Sequence, residues 1–148
     1  MVFDQFETDR KIRAIALELL PEFDASYWHS WPTEREVIVR GWLKLPNELS
    51  YGFYKFVING DHGISYRGDL ELNNDKRGKG YGKRLVEMRE KISLELGAYL
   101  VVISHNDNPS FWKHLHYDPL PKTFEGFLTK NFRDVHCIRP AYKLLSEA

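Results

Sequence analysis

The residues best suited to chemistry lie in one short run, Asp75-Lys76-Arg77-Gly78-Lys79-Gly80-Tyr81-Gly82-Lys83. Glycines alternate there with basic and aromatic residues, directly ahead of a segment with helical periodicity. The first N–H groups of a helix have no partner within it, and the macrodipole adds about half a positive charge at that end. Glycines let a ligand come close to the backbone. A phosphate or pyrophosphate is the natural guest of such a loop. Taken alone, the loop also reads as a plain basic helix cap. Two common nucleotide loops are excluded. A Walker A loop needs Ser or Thr after Gly-Lys, and here Arg84 follows Gly82-Lys83. A Rossmann fingerprint needs Gly-x-Gly-x-x-Gly, and the last glycine here falls one residue early.

The surrounding elements must hold this loop in place. Tyr81, Leu85, Met88, Ile92 and Leu96 form one stripe, which predicts a helix over 80–96 that Gly97 stops. Alternating residues predict strands over 51–59 and 63–73, joined by the turn Asn59-Gly60-Asp61-His62-Gly63. Tyr99–Ile103 is apolar and β-branched, as in a central strand covered on both faces. Strand 66–72, the helix and strand 99–104 make a parallel strand–helix–strand unit. Upstream, Ile12, Ile15, Leu19 and Leu20 predict a helix over 5–20, ended by Pro21. Residues 22–33 are aromatic and irregular. Thr33 and Glu36 spell a capping box, but the alternation of Val37, Val39, Leu43 and Leu45 favours a strand over 36–45. A short helix at 109–116 and two late strands, 123–129 and 134–139, complete an α/β arrangement.

A family resemblance follows from these residues. Arg77-x-x-Gly80-x-Gly82, between an alternating strand and an amphipathic helix, resembles the acyl-CoA-binding motif of the GNAT superfamily of N-acetyltransferases. Asn108-Pro109-Ser110-Phe111-Trp112-Lys113-His114-Leu115-His116-Tyr117 resembles the family's Asp-Pro-x-Tyr-Tyr-x-x-x-Gly-Phe segment. The resemblance spans residues 51–118. It implies a single domain over 1–148 with a central mixed, mostly antiparallel sheet, a parallel strand–helix–strand unit and flanking helices. It implies acetyl-CoA as cosubstrate. Arg77, Gly78, Lys79, Gly80, Tyr81 and Gly82 would cradle the pyrophosphate, Leu70 and Leu72 would offer backbone groups to the pantetheine arm, and Asn108 and Trp112 would line the other side. Two departures stand out. Trp112 replaces a tyrosine that often serves as general acid, and an indole cannot supply that proton. His116-Tyr117 replaces the family's Gly-Phe. The first 50 residues, where acceptor specificity usually resides in this family, match nothing nameable.

Acetyl transfer to an amine needs the neutral amine, which calls for a base. Glu71 is the first candidate, acting directly or through water, and Asp69 on the same strand face is the runner-up. His105, at the end of the strand after the helix, suits proton transfer near neutral pH. Tyr117 is expected in the core. Trp28, Trp31 and Trp42 are read as core rather than as an acceptor cage. His114, His116, His136 and Cys137 lack metal-ligand spacing, so no metal is expected. Cys137 sits in an expected late strand, which disfavours a covalent thiol intermediate.

Composition narrows the function classes. Lys plus Arg number 21 and Asp plus Glu 21, for a net charge of zero, which argues against a polynucleotide partner. Residues 1–74 carry 8 basic and 12 acidic side chains, residues 75–148 carry 13 and 9, and the run 75–91 alone carries 7 and 3. The N-terminus has Asp4, Glu7 and Asp9 where a leader would be basic. No apolar stretch approaches the roughly 20 residues of a membrane span. A cytoplasmic setting is expected, and a homodimer is compatible with the reading. The expected activity is acetyl transfer from acetyl-CoA to a primary amine by direct attack. The alternatives are acylation of a nucleobase and a non-catalytic acyl-CoA-binding module, the latter motivated by Trp112.

Overall fold

A computed structural model describes residues 3–46, 52–72, 80–132 and 135–146. Helix α1, Gln5–Leu19, starts at Asp4, whose carboxylate accepts from the Glu7 N–H. After a 3-10 turn at Ala25–Tyr27, strands β1 (Trp28–Pro32), β2 (Glu36–Leu43), β3 (Gly52–Asn59) and β4 (Ile64–Leu72) follow as an antiparallel meander. Helix α2, Tyr81–Glu95, crosses over to β5, Leu100–Ile103, which lies parallel to β4. Helix α3 (Pro109–His114), the two-residue strand β6 (Asp118–Pro119), helix α4 (Lys122–Asn131) and strand β7 (Ala141–Leu144) follow. The sheet order is β1-β2-β3-β4-β5-β7-β6, and every pairing except β4–β5 is antiparallel. The expected mixed α/β class, with a mostly antiparallel sheet and one parallel crossover, is the observed one.

Alternation along the strands divides the core. On one face Tyr54, Phe56 and Ile58 of β3 pack with Ile12 and Ile15 of α1 and Leu85, Met88 and Ile92 of α2. On the other, Val57, Ile64, Tyr66, Leu100 and Val102 pack with Leu128 and Phe132 of α4. Helices therefore cover β5 on both sides, and all four of its residues are buried. The charge asymmetry of the sequence resolves partly into a helix contact: Lys91 of α2 meets Glu18 of α1 at 2.6 Å, and Arg84 meets Glu22 at 2.6 Å.

Several expectations need correction. Residues 28–32 form a strand, not irregular chain. Trp28 and Ser30 point inward, and the Ser30 N–H and Oγ both donate to Asp9 Oδ1, at 2.7 and 2.6 Å. Thr33 and Glu36 do bond as a capping box would, with the Glu36 N–H donating to Thr33 Oγ at 3.2 Å, but they close the β1–β2 hairpin. The strand expected at 123–129 is helix α4, and 135–139 forms only an isolated bridge between Ile138 and His105. Cys137 therefore sits outside any strand, and partial burial pushes its thiol up. The last strand, 141–144, comes later than expected. Tyr99 lies outside β5 and is exposed. Trp28 is core, but Trp31 and Trp42 are 40% and 42% exposed, against the core reading.

Candidate active site

Strands β4 and β5 run together for only two residue pairs, Ile64 with Leu100 and Ser65 with Val101. Beyond these they part. The cause is local to β4. Its register against β3 steps from Val57 opposite Tyr66 to Lys55 opposite Asp69, so β4 carries one extra residue there. Arg67 takes φ of +53° within this bulge. A bulge bends its strand and re-aims side chains. Three consecutive residues, Arg67, Gly68 and Asp69, consequently line one cavity, which regular alternation would forbid.

A cleft of about 890 Å³ runs through the gap. At one end lie Gly80, Gly82 and Lys83, at the start of α2; along one wall lie Leu70 and Leu72 of β4; across from them lie Asn108, Phe111 and Trp112. Gly68, Asp69, Ile103 and His105 mark the far end, and Tyr54 and Arg89 also line the cleft. A second cavity of about 280 Å³ is lined by Lys55, Arg67, Gly68, Asp69, Ser104, His105 and His136. Gly68, Asp69 and His105 belong to both linings, so the two spaces meet at these residues.

The start of α2 suits an anion. Gly80 is its N-cap, in the left-handed region at φ +81°, with no side-chain cap bond. Asp, Asn or Ser at that position would usually satisfy the free N–H groups. Among the described residues, a Cβ at Gly80 would meet nothing within 4 Å. Lys83 adds a cation at the same end. Tyr81 turns away, packing edge-on against Phe23 at 5.2 Å. Arg77, Gly78 and Lys79 lie outside the described residues.

The wall facing β4 is set by α3. Asn108 caps this helix, its Oδ1 accepting from the Phe111 N–H at 3.3 Å and from Ser110 Oγ at 3.2 Å. Trp112 is half-buried and meets Phe111 and Tyr117 edge-on at 5.1 and 5.0 Å. The helix ends in a Schellman motif, with the Tyr117 N–H donating to the Trp112 carbonyl and the His116 N–H to the Lys113 carbonyl, both at 3.0 Å. His116 takes φ of +72° there. Tyr117 is buried, as expected, with its hydroxyl donating to Glu90 at 2.8 Å. Burial drives its pKa far above the usual phenol range.

His105 is held by its neighbours. The Ile138 N–H donates to the Ser104 carbonyl at 2.8 Å, and the Asn106 N–H donates to the Ile138 carbonyl at 3.0 Å. Its Nε2 lies 2.8 Å from Asp107 Oδ1. Glu71 is exposed on β4 and lines neither cavity, whereas Asp69 lines both. Sequence reasoning passed over Arg89. Its side chain is 1% exposed; it donates to Ser65 Oγ at 3.0 Å and the Tyr54 hydroxyl at 2.9 Å, and no carboxylate among the described residues pairs with it. A Cβ at Gly68 would lie 2.3 Å from its Nη1, so only glycine lets the bulge and the guanidinium approach. The available signal was a charge on the apolar stripe, since Arg89 follows Leu85 by four positions and precedes Ile92 by three.

Solved structures share this fold. Tetrahymena GCN5 superposes with a TM-score of 0.60 at 10% identity, covering 97% of this chain and 89% of that one. A protein from Lactobacillus plantarum, provisionally described as an N-acetyltransferase, gives 0.53 at 17% identity, over 95% and 90% of the two chains. The chain has a GNAT-type N-acetyltransferase fold. No family model and no curated protein sequence matches it. In this GNAT-type fold, the parted strands, the glycine-led helix and α3 enclose one cleft. Among the described residues, no helix is long and apolar enough to cross a membrane.

Proposed function

We propose that this protein is an N-acetyltransferase that moves an acetyl group from acetyl-CoA to a primary amine by direct attack. One observation carries the reading: a continuous cleft joins the uncapped start of α2 to Asp69 and His105, where a second cavity opens. The residues fit the cosubstrate. Gly80 and Gly82 line the cleft where the start of α2 leaves N–H donors for a pyrophosphate, and Lys83 supplies a cation. Arg77, Gly78 and Lys79 would extend that cradle. Leu70 and Leu72 line the path of the pantetheine arm, with Asn108 and Trp112 opposite. When bound, acetyl-CoA supplies an activated thioester.

The remaining work falls to the chain. Asp69, at the meeting of the two spaces, takes the proton from the incoming ammonium, directly or through water; Glu71, two residues further out, could do so only through water. His105 stands within the same junction, with Asp107 orienting its ring. Such positioned acid–base groups contribute about 10²–10⁴-fold. Trp112 packs beside the site and donates no proton; a departing thiolate, with a thiol pKa near 8.5, does not require one. The reading places the enzyme in the cytoplasm as a single domain.

The test is Gly82→Glu. A Cβ there meets Phe111 at only 3.4 Å, so the backbone tolerates it while bulk and negative charge enter the cleft. Calorimetric titration with CoA should show affinity lost in a protein that keeps its circular dichroism. Unchanged CoA affinity would refute the site, and binding without thiol release against any amine would favour the non-catalytic acyl-CoA-binding module.

A further inference from the structure

We infer that the acceptor is a small amine carrying its own anionic group, a carboxylate or a phosphate, held by Arg67 and Lys55. The inference rests on the acyl-transfer reading and concerns the smaller cavity, which meets the cleft at Gly68, Asp69 and His105. At about 280 Å³ it suits a molecule of amino-acid size rather than a folded partner. Its lining holds two permanent cations, Lys55 and Arg67, and two imidazoles, His105 and His136, against the single carboxylate of Asp69.

These cations are not spent elsewhere. Among the described residues neither Lys55 nor Arg67 has an ion-pair partner. The cross-strand neighbours of Lys55 are Arg40 on β2 and Asp69 on β4. Arg40 brings a further positive charge, its guanidinium stacked on Trp31 at 4.6 Å. A regular strand would carry Arg67 and Gly68 on opposite faces. The bulge, with Arg67 at φ +53°, brings both into the lining beside Asp69.

The chemistry then divides by position. Asp69 faces the ammonium of the acceptor and removes its proton. Arg67 and Lys55 face an anion a few bonds away on the same small molecule, where a planar fork and a point charge suit carboxylate or phosphate. A polyamine or a lysine-rich peptide would bring only positive charge into a lining already positive, so such acceptors are disfavoured.

The experiment compares matched pairs: alanine against alaninamide, and phosphoethanolamine against ethanolamine, with spermidine as the polycation. Each is titrated into the CoA-loaded protein by calorimetry, and acyl transfer is followed by thiol release. The wild type should bind and acylate the anionic member of at least one pair about tenfold better. Which pair responds separates carboxylate from phosphate. Arg67→Gln and Lys55→Gln should erase that preference while leaving the affinity for CoA unchanged. Equal binding of charged and uncharged members, a preference for spermidine, or variants that keep the wild-type preference would overturn the inference. Loss of CoA affinity in the variants would also overturn it, by placing the cations on the cosubstrate. Absence of thiol release with every amine would count against the acyl-transfer reading, while the binding comparison would still decide this one.

Discussion

Arg89 is the residue that ordinary burial would reject. A guanidinium taken from water without a carboxylate costs several kcal/mol unless its donors are well placed. Here Ser65 and Tyr54 accept from it. Replacing it by methionine of similar length removes the desolvated charge but strands a buried phenol and a buried hydroxyl. The stranded groups dominate, so Arg89→Met should lower stability by about 1–3 kcal/mol in urea unfolding. The double change with Tyr54→Phe should cost less than the sum of the single ones by about 0.5 kcal/mol or more. Strict additivity would show that the Tyr54 bond carries no energy. At this scale the sequence was partly legible. The cleft glycines and His105 were readable because their types imply backbone exposure or titration, and Asn108 and Trp112 through the family resemblance. Tyr54 and Arg89 were not, because each enters through tertiary placement. The choice between Asp69 and Glu71 turns on a bulge, whose one sequence signal is Gly68 inside the strand.

Helix α3 shows how an element pays for a missing glycine. Its Schellman motif puts His116 at φ +72°, a conformation that strains a residue with a Cβ. The His116 side chain is exposed, so His116→Gly should raise stability by about 1 kcal/mol with no change in the Trp112–Tyr117 contact. Thermal melting checks this, and a lower melting temperature would mean the histidine contributes something the backbone geometry does not show. The same scale explains which elements were foreseen. Helices α1 and α2 and the hairpin of β3 and β4 carry clean periodicity and clear stop signals. Helix α4 was read as a strand because its aromatics suggest β-structure, although Phe124, Phe127, Leu128 and Phe132 fall three, four and eight apart, which is helical spacing. Strand β1 was missed because its second inward position is Ser30, whose burial depends on Asp9 in a distant helix.

Across the whole molecule, three phenols are set apart from the rest. Tyr54, Tyr66 and Tyr117 all titrate above the ordinary phenol range, chiefly because burial disfavours the phenolate. Each proton is held more tightly in the folded chain than in the unfolded one. Their contribution to stability is therefore complete below about pH 10, where the unfolded phenols begin to ionise, and declines as pH rises above it. Absorbance at 295 nm should show these three titrating only as the fold is lost. Ionisation of all eight tyrosines with the circular dichroism intact would contradict this. The open length of β4 has a different consequence. Past Ser65 its neighbour has gone, so alternate residues turn backbone N–H and C=O groups toward the gap. An unpaired strand margin on a protein surface invites aggregation, because another chain's strand can add to it. This margin faces a cleft instead, with Phe111 and Trp112 lining the same space. On the proposed function, a slender ligand arm occupies that space. On that reading, the fold thus keeps a free hydrogen-bonding ladder for its cosubstrate while covering it against a misfolded neighbour.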